Sequence, residues 1–177
     1  AQESWAGRTA YNRGQILYRA AEMMEARRPE FVSVLRQIGV TPKAASKQVD
    51  QAIDRWVWYA GWADKTHHIL GTVNPVAGPY FNFTFPEPTG VVGVMAPDEP
   101  ALLGLVSRLA AVIVSGNTAV AVVEGPASLA AITLAEVLAT SDLPGGVVNL
   151  LTGDKNELLP WMMGHLDINA VDLTGAP

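Results

Sequence analysis

The chain has 177 residues, 49% of them apolar and 16% charged, so it is too apolar for a disordered segment and long enough for one real core. Its net charge of −5 excludes the basic stripe of a nucleic-acid binder, and its lack of cysteine excludes disulfides and thiolate zinc sites. The longest apolar stretch, Leu109 to Ser115, is too short to cross a bilayer, and the opening AQESWAGRTAYNRG lacks the apolar core of a signal peptide. These features predict a cytoplasmic chain with no membrane partner and some apolar surface reserved for another protein.

Taken in order, residues 8 to 28 predict a helix, because Ile16, Leu17, Ala20, Ala21 and Met24 recur at three- and four-residue spacing. Pro29 suits the first turn of a second helix carrying Phe31, Val32, Leu35 and Ile38, which Gly39 stops. Thr41-Pro42 then reads as an N-cap and first helical position. The third helix runs to about Ala63, with Val49, Ile53, Trp56, Val57 and Ala60 as its buried face. Composition changes after Asp64. Pro75, Pro79, Pro86 and Pro88 surround the stretch YFNFTF, which predicts extended structure confined to an edge or a connecting ribbon.

From Gly90 strands and helices alternate. GVVGVMAP, NTAVAVV, GVVNLLTG and NAVDLTG predict four strands, separated by helices over Ala101 to Gly116, Ser128 to Ala139 and Glu157 to Gly164. Such alternation implies an α/β fold with a parallel sheet. Near-continuous Val and Leu in the strands predicts that both faces are covered. The domain reading is a helical segment over 1–64, an extended oligomerisation-type ribbon over 65–89 and a partial cofactor-binding α/β domain over 90–177.

Four phrases, PEPTGVVGVMAP, SGNTAVAVV, LPGGVVNLLTG and HLDINAVDLTG, occur in an order that strongly resembles the aldehyde dehydrogenases. The resemblance implies a Rossmann-like parallel sheet binding NAD or NADP, a catalytic domain and an oligomerisation ribbon. No GxGxxG is present, and the resemblance does not require one. It implies a thiolate nucleophile and a glutamate base lying beyond Pro177. The remaining site positions fall inside the chain, around Ala96, Pro97 and Asp98. The oxyanion-holding asparagine falls on Glu99, whose ionised carboxylate accepts hydrogen bonds but donates none. The ribose-holding lysine falls on Val122 and its companion glutamate on Gly125, with Glu124 one position off. The glycines beside the adenine fall on Lys155 and Leu159, and the serine after Thr174-Gly175 falls on Ala176. These losses gather on one cofactor surface and argue against NAD(P) binding here, although Lys155 offers a cation to a phosphate.

Asp98-Glu99 reads as a solvated loop rather than a metal pair. His67-His68 and His165 carry structural readings, so no metal site is expected. Three functions stand at this point. The chain is a non-catalytic aldehyde dehydrogenase-like module, similar to the degenerate half of two-copy members, that assembles with its own copies or with a fuller aldehyde dehydrogenase chain. Alternatively it is a fragment of an active NAD(P)-dependent enzyme oxidising aldehydes to carboxylic acids. The third reading is a nucleotide-binding module without redox activity.

Overall fold

A computed structural model describes residues 1–177. Eight helices and six strands follow in chain order. The first five helices are α1 (Gln2–Ala6), α2 (Ala10–Ala26), α3 (Arg28–Gln37), α4 (Pro42–Trp62) and α5 (Thr66–Leu70). A ribbon of β1 (Thr72–Asn74) and β2 (Asn82–Thr84) comes next. The α/β part comprises β3 (Val91–Met95), α6 (Ala101–Val114), β4 (Thr118–Val123), α7 (Ser128–Ala139), β5 (Val148–Thr152), α8 (Lys155–Gly164) and β6 (Ala170–Asp172).

The apolar spacing of α2 does what it predicts, since Ile16, Leu17, Ala20, Ala21 and Met24 are all buried. Thr9 caps this helix, its hydroxyl accepting from the Asn12 N–H at 3.2 Å. On α4 the stripe is narrower than expected. Trp56 and Ala60 are buried, but Val57 is 42% exposed, because it lies one residue beyond the Val49–Ala52–Trp56 row. Thr41 stands at the N-cap of α4 without a side-chain cap bond. The five-residue helices α1 and α5 have no clear periodic signal. The N-terminal helices join the α/β part by closing both ends of α6. Gln48 of α4 accepts from the Leu102 N–H at 2.9 Å. At the other end Trp5 Nε1 and Arg13 Nε donate to the carbonyls of Ile113 and Val114, at 2.9 and 3.0 Å. These are backbone groups that a helix leaves without internal partners.

The sheet is parallel, in the order β5-β4-β3-β6. From β3 the chain steps outward through β4 to β5, then returns to the far side of β3, so the direction of winding reverses between β3 and β6. Helices α6 and α7 and the N-terminal helices cover one face, forming the main core with Val92, Val94, Ala119 and Ala121. The other face carries only α8, which packs Met162 against Met95 and Val122. Gly93 lies under Met162, and a Cβ there would run into its sulfur. The expectation that both faces of every strand are covered fails at the edges. Leu151 of β5 is exposed and β6 is only half-buried, because one ten-residue helix cannot span four strands.

The ribbon is two-faced. Thr72, Asn74, Asn82 and Thr84 share its polar side, where Asn74 Nδ2 donates to Asn82 Oδ1 at 3.0 Å and Thr84 Oγ1 at 2.9 Å. Val73, Phe81, Phe83 and Phe85 are exposed. Phe83 sits 5.4 Å from Phe81 and 5.8 Å from Phe85, centroid to centroid, and Phe85 lies 5.7 Å from the His67 ring. No helix is long and apolar enough to cross a membrane.

Candidate cofactor cleft

The loops after β3, β4, β5 and β6 lie at the carboxyl end of the sheet, where open α/β sheets bind ligands. A cleft of about 850 Å³ opens beside them, between the Gly39-Val40 turn, the Asp98–Ala101 loop and the Glu124–Ala127 turn. Asp98, Glu99 and Glu124 line it, together with Gln48 and Gly125.

The sheet ends are tightly joined. Ala96 donates its N–H to Val122 O at 3.0 Å, and Gly175 donates to Met95 O at 3.0 Å. A Cβ on Gly175 would overlap the Ala96 carbonyl and reach 2.5 Å from Pro97 N, so only glycine allows β3 and β6 to close here. Thr174 is exposed and turns back on its own strand, donating its N–H to Asp172 Oδ1 at 2.9 Å and its hydroxyl to the same oxygen at 2.5 Å.

The helix after β5 begins at Lys155, two residues earlier than its apolar pattern predicts, because Asp154 caps it. Asp154 Oδ1 accepts from the N–H groups of Asn156 and Glu157, at 2.7 and 3.3 Å. Lys155 therefore sits in the first turn, pointing inward. Its side chain is 2% exposed, and its Nζ donates to Asp98 Oδ1 at 2.5 Å. Its backbone N–H donates to Glu124 Oε2 at 3.4 Å. Asp98 and Glu99 lie in an exposed loop, and Asp98 in addition pairs with Lys155 while its side chain stays 69% exposed. The cation at Lys155 is not free for a phosphate, since Asp98 holds it.

Other site positions converge in the smaller apolar core. Val122 is fully buried with Met95 and Met162, while Leu158, Leu159, Val171 and Ala176 pack around them. Three positions at which the resemblance implies a lysine, a glycine and a serine thus form one apolar cluster. Ala96 is buried, Pro97 is half-buried against Gly104, and Glu99 and Gly125 are exposed at the cleft rim. His165 accepts from the Asp167 N–H at 3.2 Å and lies apart from the cleft. No three His, Asp or Glu side chains are placed to hold a metal ion.

Sequence reasoning passed over three contributors. Glu124 was set aside as one position off, yet it lines the cleft and touches Lys155. Asp154 was legible as a capping box, with Glu157 three residues later. Gln48 was legible as a polar residue on an otherwise apolar stripe with Ala45, Val49 and Ala52.

The sequence profile described as the aldehyde dehydrogenase family matches residues 1–177. Omega-crystallin of Enteroctopus dofleini is 33% identical over 174 residues, covering 97% of this chain and 34% of that protein. Mitochondrial aldehyde dehydrogenase of Rattus norvegicus is 31% identical over 174 residues, covering 97% and 33%. The solved NAD+ complex of an aldehyde dehydrogenase from Bacillus cereus superposes with a TM-score of 0.87 at 28% identity, covering 94% of this chain and 34% of that one. The chain spans about a third of the length of these relatives.

Proposed function

The chain belongs to the aldehyde dehydrogenase family, and from that premise we propose that it is a scaffold module whose cofactor cleft is filled from within. In this reading residues 1–64 form a helical layer, 65–89 an assembly ribbon, and 90–177 part of a cofactor-type domain that holds no dinucleotide. Two observations support it: the Lys155–Asp98 ion pair at the start of α8, and the apolar cluster in which Val122, Leu159 and Ala176 meet Met95 and Met162.

The side chains present do not fit a dinucleotide. A ribose hydroxyl approaching Val122 meets no hydrogen-bond partner, and an unmade bond to a buried polar group costs about 1–3 kcal/mol. A pyrophosphate approaching the start of α8 meets Asp98, Glu124 and Asp154, while the nearby cation is already paired. Helix N-termini attract anions, but here the chain's own carboxylates answer the exposed N–H groups. Glu99 brings negative charge to the position where a developing oxyanion needs donors.

Assembly is the function left to such a module. The aromatic side of the ribbon is open, and a two-stranded ribbon is marginally stable unless something packs on it. We take its partner to be another copy of this chain or a fuller aldehyde dehydrogenase chain, which brings the chemistry. One observation favours a second reading, a piece of an active NAD(P)-dependent enzyme. The loops after β3 and β4 line an 850 Å³ cleft, and a structural neighbour is an NAD+ complex.

Calorimetric titration of NAD+ and NADP+ separates the two. The scaffold reading expects no saturable binding to the chain. Saturable binding that supports aldehyde oxidation alongside a cysteine-bearing partner would favour the second reading, and binding without turnover a nucleotide-holding module.

A further inference from the structure

Charge is divided unevenly along the chain. Residues 1–70 carry ten Lys and Arg against seven Asp and Glu, whereas residues 71–177 carry two against ten. Both cations of the second part are already paired, Arg108 with Asp172 and Lys155 with Asp98. In the first part Arg36, Lys43 and Lys47 are exposed and have no carboxylate within ion-pair distance. Lys43 stands in the first turn of α4, where the helix dipole disfavours a cation, and Lys47 follows one turn later, where like charges repel. This cationic strip costs the isolated chain a little stability, and an acidic surface laid on it removes that cost. Beside the strip, the α3–α4 turn forms an open hollow of about 540 Å³ lined by Arg36, Val40 and Pro42. Gly39 also lines it, and a Cβ there would meet nothing within 4 Å. The acidic part carries a matching projection on α8. Trp161 is 75% exposed, and Glu157, also exposed, lies one turn before it on the same helix face.

We propose that α8 of one copy docks on the α3–α4 turn of a second copy, with Trp161 entering the hollow and Glu157 meeting Lys43 and Lys47. This rests on the assembly reading and adds to it a contact separate from the ribbon. The second copy is the occupant because the two surfaces are opposite in charge and both belong to this chain. Arg36 lies over the indole face as a cation–π partner, and the exposed Met163 and Leu166 extend the apolar area around Trp161. The two patches differ, so the contact is heterologous: each copy keeps one free projection and one free hollow, and copies join head to tail.

The test is sedimentation velocity on the 177-residue chain carrying Phe81→Ser and Phe83→Ser, so that ribbon association and this contact are read apart. This parent is expected to self-associate, and to do so more weakly as added salt screens the exposed charges. Adding Trp161→Ser, or Lys43→Glu with Lys47→Glu, is expected to weaken association by about tenfold or more. An equimolar mixture of those two variants is expected to form a dimer and nothing larger, because the first keeps only the hollow and the second only the projection. A monomeric parent, a variant that associates as strongly as the parent, or a mixture that stays monomeric overturns the proposal. Should Trp161→Ser unfold, Glu157→Lys takes its place. A monomeric parent beside a wild type that still associates defeats this contact and leaves the assembly reading standing, whereas a monomeric wild type defeats self-assembly as well.

Discussion

Lys155 Nζ lies 2.5 Å from Asp98 Oδ1, and this one bond ties the start of α8 to the loop after β3. One partner is wholly buried and the other is open to water, which makes the pair unequal in its response to mutation. Asp98→Asn leaves a buried ammonium without its counter-charge and is expected to destabilise the chain by roughly 1–3 kcal/mol, less than for a fully buried pair. Lys155→Met removes the charge and keeps most of the volume, and is expected to be near neutral or stabilising. Urea midpoints of the two variants check this, and a larger loss in Lys155→Met than in Asp98→Asn would contradict it.

The N-terminal layer depends on Trp5. Its indole is buried and donates to the Ile113 carbonyl at the end of α6. Trp5→Ala is expected to cost about 3–5 kcal/mol, as for other buried aromatic truncations. Trp5→Phe keeps the packing and isolates the hydrogen bond, with an expected loss of about 1 kcal/mol. Chemical denaturation of both variants separates the two contributions.

Gly175→Ala places a methyl group against the Ala96 carbonyl. The β3–β6 junction has to open, at an expected cost of about 1–3 kcal/mol. Hydrogen exchange should show the loss of protection concentrated at the amides of Ala96 and Gly175, whereas a uniform loss would point to global destabilisation.

Acid should weaken the surface ion pairs in a defined direction. Hydrogen bonds from Arg27, Arg28 and Lys65 hold the carboxyls of Glu30, Asp50 and Asp64 below the usual carboxylate range. A carboxyl depressed in the folded state favours folding above its unfolded pKa, near 4, and that contribution is lost as pH falls through the folded value. The stability difference between the wild type and Arg27→Gln/Arg28→Gln should therefore be largest above about pH 5 and shrink below about pH 4. All these groups are exposed, so the difference is small and falls with added salt.

The ribbon supplies a test of assembly. Phe81→Ser with Phe83→Ser removes two exposed rings from its apolar side. Sedimentation equilibrium should show weaker association with an unchanged urea midpoint for the folded chain. Association unaffected by the double substitution would place the interface elsewhere.

Much of the fold was legible because periodicity records burial. The α2 stripe and the runs in β3 and β4 each report a surface that the structure does bury. Val57 and Leu151 were misread for one reason, that an apolar residue shows what a position tolerates and not whether a neighbour reaches it. At the smaller core, Val122, Leu159 and Ala176 were legible as losses of polar or small residues. Their convergence was not, since they are drawn from three elements far apart in sequence. The Asp98–Lys155 bond was hidden by its 57-residue separation, and by a helix start that only the Asp154 cap places at Lys155.

The central claim is that the cleft is filled by the chain's own side chains, and calorimetric titration of NAD+ tests it most directly. The account predicts no saturable binding by the wild type, with measurable binding appearing once Lys155→Gly, Leu159→Gly and Val122→Lys are combined. Saturable binding by the unaltered chain would contradict it, because Val122, Leu159, Ala176 and the paired Lys155 would then not exclude the dinucleotide.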